Sequence, residues 1–162
     1  MSDGPWLNDR EQRAWQGLQL MQMRVEGELA RRLAAGSSLS YPDYVVLVAL
    51  TDQPDGRLRQ FELGQRLAWE QSRLSHHIAR MVKRDLVTKE KCPTDQRGAF
   101  VVVTGRGRAE IAAAAPCHVA AVRELFIDHL TDRQLDSIAE VAETVLIAND
   151  ASTAPGQARP SR

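Results

Sequence analysis

Histidine and cysteine are the residue types in this chain best suited to chemistry, and their spacing does not form a catalytic or metal-binding pattern. His76 and His77 are adjacent, and neighbouring residues of a helix point about 100° apart, which disfavours a shared metal ion. We expect structural roles for His118 and His129. The sequence contains no Ser-His-acid set in a recognisable context, no phosphate-binding loop and no paired carboxylates in an apolar setting. It therefore predicts no enzyme activity, no cofactor and no metal site.

The two cysteines, Cys92 and Cys117, are too few for a disulfide framework. Lys89 and Lys91 lie close to Cys92 in the sequence, and nearby cations lower the pKa of a thiol and favour its oxidation. Cys92 is therefore a candidate redox sensor, whereas Cys117 stands among Ala and Val and is expected to be a small core residue. Because no apolar run approaches membrane length and the first residues form no signal core, we expect a cytoplasmic protein without a membrane partner.

Charge is distributed unevenly along the chain. Residues 57–110 contain twelve Lys or Arg and six Asp or Glu, a net charge of +6 in a chain whose formal net charge is zero. The remaining residues therefore carry a net charge of −6. A basic middle between acidic ends suggests a polyanion as partner, and a solvated charged face is the alternative.

Two short amphipathic segments in the basic middle, 60–68 and 71–84, read as helices separated by a very short connection. Helices joined so tightly cross steeply, as in a helix-turn-helix. Gly64 suits this geometry because its missing side chain lets the second helix approach closely. Two strand-like segments follow, 86–91 and 99–103, and the turn formers between them predict a β-hairpin with a basic tip.

A helix-turn-helix followed directly by a basic hairpin is a winged helix, in which the second helix enters the major groove of DNA. Leu74, Ile78 and Met81 form the apolar face of that helix, so its polar residues point outward. Arg73 has the fork geometry to read guanine, and Arg80 is expected to contact a phosphate. The candidate DNA-binding residues from this reasoning are Ser72, Arg73, Ser75, His76, Arg80, Lys83, Arg84, Lys89 and Lys91.

Long helices are predicted on both sides of the winged helix. Residues 8–34 carry one apolar stripe behind a capping box of Asn8 and Glu11, and Ser40 with Asp43 caps a short second helix. Thr104 caps an Ala-rich helix that Pro116 should kink or break, and Thr131 caps a last helix. The fold class is mainly α, an α+β winged helix. We divide the chain into a lead-in at 1–7, a dimerisation region at 8–38 and 104–148, a DNA-binding lobe at 39–103 and a disordered tail at 149–162.

Several of these segments resemble the multiple-antibiotic-resistance (MarR) family of regulators over roughly residues 6–148. The strongest is the run from Ser72 to Val87, and Asp95-Gln-Arg97 matches the D-x-R signature of the family's wing. Val103-Thr-Gly105 leads into the next helix as in family members. The first helix of the family is resembled by Trp6-Leu7, Glu11 and Trp15. Asp85 stands where the turn before the wing usually has Gly. We expect the turn to survive because Asp tolerates the left-handed conformation.

The resemblance implies an obligate homodimer, held by the first and last two helices, that binds a pseudo-palindromic operator. It places Arg97 at the wing tip toward the minor groove and makes Asp95 a brace of the wing. It also implies a repressor that a small aromatic or lipophilic molecule releases from double-stranded DNA. Candidates to line the effector pocket are Trp15, Tyr41, Tyr44, Trp69 and Phe126. Two alternatives remain: a thiol-based redox-responsive regulator, and a winged-helix interaction module that docks a protein and does not read DNA.

Overall fold

The computed structural model describes the backbone of residues 6–92 and 95–153, and their side chains except at 92, 95–97 and 150–153. It confirms the predicted mainly α, α+β winged-helix class. The chain divides into two compact units, one ending at Val122 and the other beginning at Arg123. The elements run in the order α1 (Asp9–Gly36), α2 (Tyr41–Thr51), β1 (Arg57–Arg59), α3 (Gln60–Leu67), α4 (Gln71–Lys83), β2 (Val87–Cys92), β3 (Asp95–Val103), α5 (Gly105–Leu125) and α6 (Asp132–Thr153), with a 3-10 turn at Ile127–His129.

The helix starts follow from local caps that the sequence predicts. Asn8 Oδ1 accepts a hydrogen bond from the backbone N–H of Glu11 at 3.0 Å, and the Glu11 carboxylate accepts from the backbone of Asn8 at 2.9 Å. Ser40 and Asp43 form the same reciprocal box at the start of α2. These bonds satisfy backbone donors that the first turn of a helix leaves without partners.

The sheet contains one strand more than predicted. Its antiparallel order is β1-β3-β2, and Leu58 of β1 and Lys89 of β2 both pair with Val101 of the central strand. No local pattern in the sequence indicates β1, because the strand is three residues long and has a single apolar side chain. Its hydrogen-bond partners lie more than forty residues away along the chain.

The junction between α4 and the wing is tightly built. Asp85 has a φ of +57°, which confirms that an Asp can occupy the left-handed turn predicted there. Thr104 also acts as the predicted cap, because its hydroxyl oxygen accepts from the backbone N–H of Gly107 at 2.9 Å. The same hydroxyl donates to the backbone oxygen of Asp85 at 2.6 Å, and this hydrogen bond links the start of α5 to the turn that follows α4.

Two helix predictions need correction. Pro116 does not break α5, which is continuous from Gly105 to Leu125. Proline removes one backbone hydrogen bond, and the turns on either side are held by the buried residues Ala114 and Ala121. Helix α6 continues to Thr153, five residues beyond the predicted end at 148. Residues 154–162 of the predicted tail lie outside the described residues.

The core of the first unit lies mainly inside the winged-helix lobe. Its fully buried side chains come from α2, α3, α4 and the sheet, and include Leu47, Leu50, Leu63, Leu74, Ile78, Met81 and Val101. Burial of aliphatic side chains of this size contributes about 1.5–3 kcal/mol each. Within the described residues no single helix is long and apolar enough to span a membrane. Helices α1 and α2, bent by 90°, pass such a test only as a pair.

Candidate nucleic-acid interface

Helix α4 is fixed to the core by one face. Leu74, Ile78 and Met81 have no exposed surface, as predicted. The predicted residues on the opposite face are exposed: Ser72, Arg73, His76, Arg80 and Lys83. The packing of the apolar face thus turns a row of polar and cationic side chains toward solvent.

The first turn of α4 is capped by an acid. The Glu70 carboxylate accepts from the hydroxyl of Ser72 at 2.5 Å and from its backbone N–H at 3.0 Å. These two bonds lower the pKa of Glu70, so the residue is a carboxylate at neutral pH. The Ser72 hydroxyl already donates to Glu70, and it keeps its acceptor lone pairs for a further contact.

Arg73 and Ser75 occupy different environments. The Arg73 guanidinium lies over the Trp69 ring, 4.7 Å from its centre, a cation–π arrangement that orders a long side chain on the exposed face. Ser75 is half-buried and accepts a hydrogen bond from the Gln60 amide at 2.7 Å, which links α4 to α3. Arg73 therefore remains available to DNA, and Ser75 joins the two helices of the helix-turn-helix.

Two further residues are placed differently from the sequence interpretation. His77 is one of the polar residues of α4, which the sequence places on the outward side, but it is only 6% exposed and lies beside the buried Asp43 of α2. Arg84, a candidate phosphate contact, donates to the Asp43 carboxylate and to the backbone oxygen of Ser38, both at 2.6 Å. Both residues were assigned outward because their side chains are polar, although His77 is at the i+3 position from Leu74, on the side of α4 that faces the core.

Asp43 is the buried acid that collects these contacts. Burial alone would raise its pKa. The short contact with His77 and the hydrogen bonds from Ser40 and Arg84 outweigh burial and hold the pKa well below its usual range. The carboxylate is therefore charged, and a buried charge is tolerated when it is paired and hydrogen-bonded.

The wing adds further cations. Lys89 and Lys91 of β2 are exposed. Arg57 and Arg59 of β1 were not among the predicted site residues, and their guanidinium groups lie 4.8 and 5.7 Å from the centre of the Phe100 ring. The alternation Arg-Leu-Arg was the one signal that could have revealed them.

A surface cavity of about 470 Å³ lies between the wing and the helix-turn-helix, lined in part by Lys89, Gln60 and Gln71. The side chains of Asp95 and Arg97, the predicted brace and tip of the wing, and that of the redox candidate Cys92 lie outside the described residues. Cys117 is exposed rather than a core residue as expected, because several of the Ala and Val around it on α5 are themselves exposed.

The aromatic candidates for an effector pocket lie in different places and do not form one cluster in the described structure. Tyr41 and Tyr44 face the His118 ring, with centroids 6.3 and 4.3 Å away. Trp69 instead packs edge-on against His77, and Trp15 is 53% exposed on α1. Phe126 belongs to the second unit. Among the side chains that the structure describes, no three His, Cys, Asp or Glu residues converge as metal ligands would.

A helix-turn-helix followed by an antiparallel wing, with cations turned outward on both, defines the class of winged-helix DNA-binding proteins. The MarR family model matches residues 37–98. The chain is 33% identical to AbsC, a MarR family transcriptional regulator from Streptomyces coelicolor, with a TM-score of 0.83 over 91% of this chain and 99% of that one. It is 36% identical to Sco3205, a MarR family regulator of the same organism whose structure contains DNA, with a TM-score of 0.81 over 87% and 92% of the two chains.

Among curated proteins, the transcriptional regulator HosA of Escherichia coli O111:H- is 30% identical over 110 residues, which cover 68% of this chain and 79% of HosA. The chain belongs to the MarR family and is a DNA-binding transcriptional regulator. The predicted family is confirmed, and these relatives are regulators rather than enzymes.

Proposed function

We propose that this chain acts as a homodimeric repressor that places α4 in the major groove and the wing in a neighbouring minor groove of a pseudo-palindromic operator. A small aromatic or lipophilic effector then releases it. The observation that carries the DNA-binding part is the orientation of α4. Its buried residues leave Arg73 and Arg80 exposed about two turns apart on the outer side.

The two arginines differ in their position along α4. Arg73 lies near the N-terminus of the helix, where base contacts usually form, and a bidentate contact to guanine discriminates against a wrong base by about 1–3 kcal/mol. Arg80 lies in the second half of the helix, with Lys83 beyond it, and meets a phosphate. A phosphate contact adds affinity to every sequence and steepens the salt dependence by about 0.9 per charge.

The test is a salt titration of Arg73→Ala and Arg80→Ala on a duplex that the wild-type protein selects from random DNA, and on single-base variants of that duplex. Arg73→Ala is expected to flatten the preference at one position. Arg80→Ala is expected to weaken binding to all sequences alike and to lower the salt slope by about one. Equal losses on every duplex for both variants would contradict this division of roles.

Exposed apolar side chains support dimerisation. They include, on α1 in the first unit and on α6 in the second, Trp15, Leu18, Leu20, Met21 and Met23, and Ile138, Val141, Val145, Leu146 and Ile147. Helix faces of this kind are buried against another surface in stable proteins. A second copy related by two-fold symmetry would cover them and present two α4 helices to half-sites about one helical turn apart.

The cluster of Tyr41, Tyr44 and His118 supports the effector site. Burial raises the pKa of both tyrosines, the charge of Glu26 adds to the effect at Tyr41, and both hydroxyls stay protonated donors. Burial lowers the pKa of His118, so its ring is neutral near pH 7, and its Nδ1 atom is buried without a hydrogen-bond partner in the described structure. An aromatic ligand with one polar group could stack here and satisfy that nitrogen.

A further inference from the structure

The buried pair of Asp43 and His77 lies directly behind the exposed face of the recognition helix. Asp43 is 1% exposed and His77 is 6% exposed. The two ring nitrogens of His77 face in opposite directions. Nε2 lies 3.1 Å from Oδ1 of Asp43 on α2, and Nδ1 lies 3.1 Å from a guanidinium nitrogen of Arg80, one turn further along α4. A polar connection thus runs from α2, through the interior, to a cation on the DNA-facing side.

The chemistry of these partners determines where the histidine carries its proton. A guanidinium has only donors, so the Nδ1 atom that faces Arg80 is the unprotonated acceptor. The proton of the neutral ring then lies on Nε2, beside the Asp43 carboxylate, which has only acceptors. The Nε2–H bond does not point straight at that oxygen, so the contact is a short electrostatic one rather than a well-aligned hydrogen bond.

Asp43 cannot easily turn away from this arrangement. Its Oδ2 atom accepts from the backbone N–H of Ser40 at 2.9 Å and from the Arg84 guanidinium at 2.6 Å. The Trp69 ring packs edge-on against His77 at 5.5 Å and covers the imidazole. The orientation of the ring, and with it the direction of the Nδ1 lone pair, is therefore fixed by groups on several elements.

We propose that His77 is a positioning residue for operator binding: in its Nε2–H form, which Asp43 selects, it accepts a hydrogen bond from Arg80 and holds that guanidinium on the outer side of α4. This inference rests on the phosphate contact assigned to Arg80 in the proposed function. An arginine held in place before binding loses less rotamer freedom when it meets DNA. A neutral acceptor at this position supplies that restraint without adding a charge to the interface.

Two substitutions distinguish the contribution of Nδ1 of His77 from that of Nε2. The polar atoms of Asn branch from Cγ, as Nδ1 does, so His77→Asn can keep an acceptor for Arg80 while it loses the group that faces Asp43. The polar atoms of Gln lie one bond further out, at the distance of Nε2, so His77→Gln keeps a donor toward Asp43 and loses the acceptor for Arg80. Each variant is the matched control for the other.

The probe is the duplex that the wild-type protein selects from random DNA. His77→Gln is expected to raise Kd about threefold to tenfold, the scale of one lost hydrogen bond, and His77→Asn is expected to remain within about twofold of wild type. In an Arg80→Ala background, His77→Gln is expected to add no further loss, because its effect acts through Arg80. Thermal unfolding of every variant checks that the fold is kept.

The outcomes distinguish this inference from the proposed function. If the wild-type protein enriches no sequence, the proposed function is wrong and the inference fails with it. If wild type binds but the Gln and Asn variants have the same Kd, or if the effects of His77→Gln and Arg80→Ala add in full, His77 does not position Arg80. A loss of affinity that follows the unfolding temperature across all variants also overturns the inference, since it shows only a structural role.

Discussion

Replacement of Gly107 by Ala tests how closely α5 packs against the base of the wing. A Cβ atom at position 107 would overlap the backbone oxygen of Leu86 and would lie 3.0 Å from a methyl group of Val103. The Leu86 oxygen cannot move freely, because it belongs to the backbone and accepts a hydrogen bond from the backbone N–H of Thr104 at 3.2 Å. Gly105, in the same turn of α5, has nothing within 4 Å of such an atom and is a matched control.

The expected magnitudes follow from two opposing effects. Alanine in place of glycine stabilises a helix by up to about 1 kcal/mol. Overpacking of a tight contact destabilises by about 1–3 kcal/mol. Gly105→Ala is subject only to the stabilising effect. Gly107→Ala is subject to both effects, and its free energy of unfolding is expected to fall by up to about 2 kcal/mol. For a chain of this size each kcal/mol changes Tm by about 2–4 °C, so the two variants should differ by several degrees.

The assay is thermal unfolding followed by circular dichroism, at equal protein concentration because an oligomer has a concentration-dependent Tm. Leu86 also joins the end of α4 to β2, so Gly107→Ala is expected to weaken operator binding, and Gly105→Ala is not. Equal Tm values for the two variants would refute the close packing of α5 on Leu86.

The remaining predictions concern the partner copy and the effector. Light scattering at micromolar concentration is expected to give twice the 18.0 kDa of one chain, and Leu146→Glu is expected to shift the protein toward monomer because it places a charge on the apolar face of α6. A monomeric wild type would contradict the dimer. Within a panel of phenols and benzoic acids, a compound that releases the wild type from its duplex is expected to need about twofold to tenfold higher concentration for Tyr44→Phe, the scale of one lost hydrogen bond. Equal potency on both proteins would exclude the Tyr44 hydroxyl from the effector site.

Local signals in the sequence were sufficient for the helix starts and for the turn after α4. The caps at Asn8 and Ser40 and the left-handed turn at Asp85 involve residues close together in the chain, so residue type and spacing predict them. Strand β1 depends on partners far away in the sequence, and no local pattern specifies it. The same difference applies to the site. The burial of Leu74 and Ile78 followed from apolar residues at helical spacing, whereas His77 has the same spacing and was placed outward because it is polar.

The reason is that a polar residue can be buried only where another element supplies its partner. Asp43 is readable from the sequence as a capping residue of α2, since the carboxylate bonds three residues back. Its second role, facing His77 and Arg84, needs the tertiary structure. Without that information, the polar type of His77 and Arg84 leads the sequence interpretation to place both residues on the outside.

The polar contacts along the edge of α4 explain what apolar packing alone cannot supply. Burial of Leu74, Ile78 and Met81 chooses which face of the helix meets the core, but the hydrophobic effect is non-directional and leaves the helix some freedom to rotate and slide. Hydrogen bonds are directional, and they tie α4 and its C-cap to three other segments: through Ser75 to α3, and through Arg84 to α2 and to the connection between α1 and α2. A binding constellation must be held to within about 0.5 Å and 10–20° of its productive geometry. Polar side chains on the core side and at the end of α4 therefore help to determine where its exposed side chains are placed.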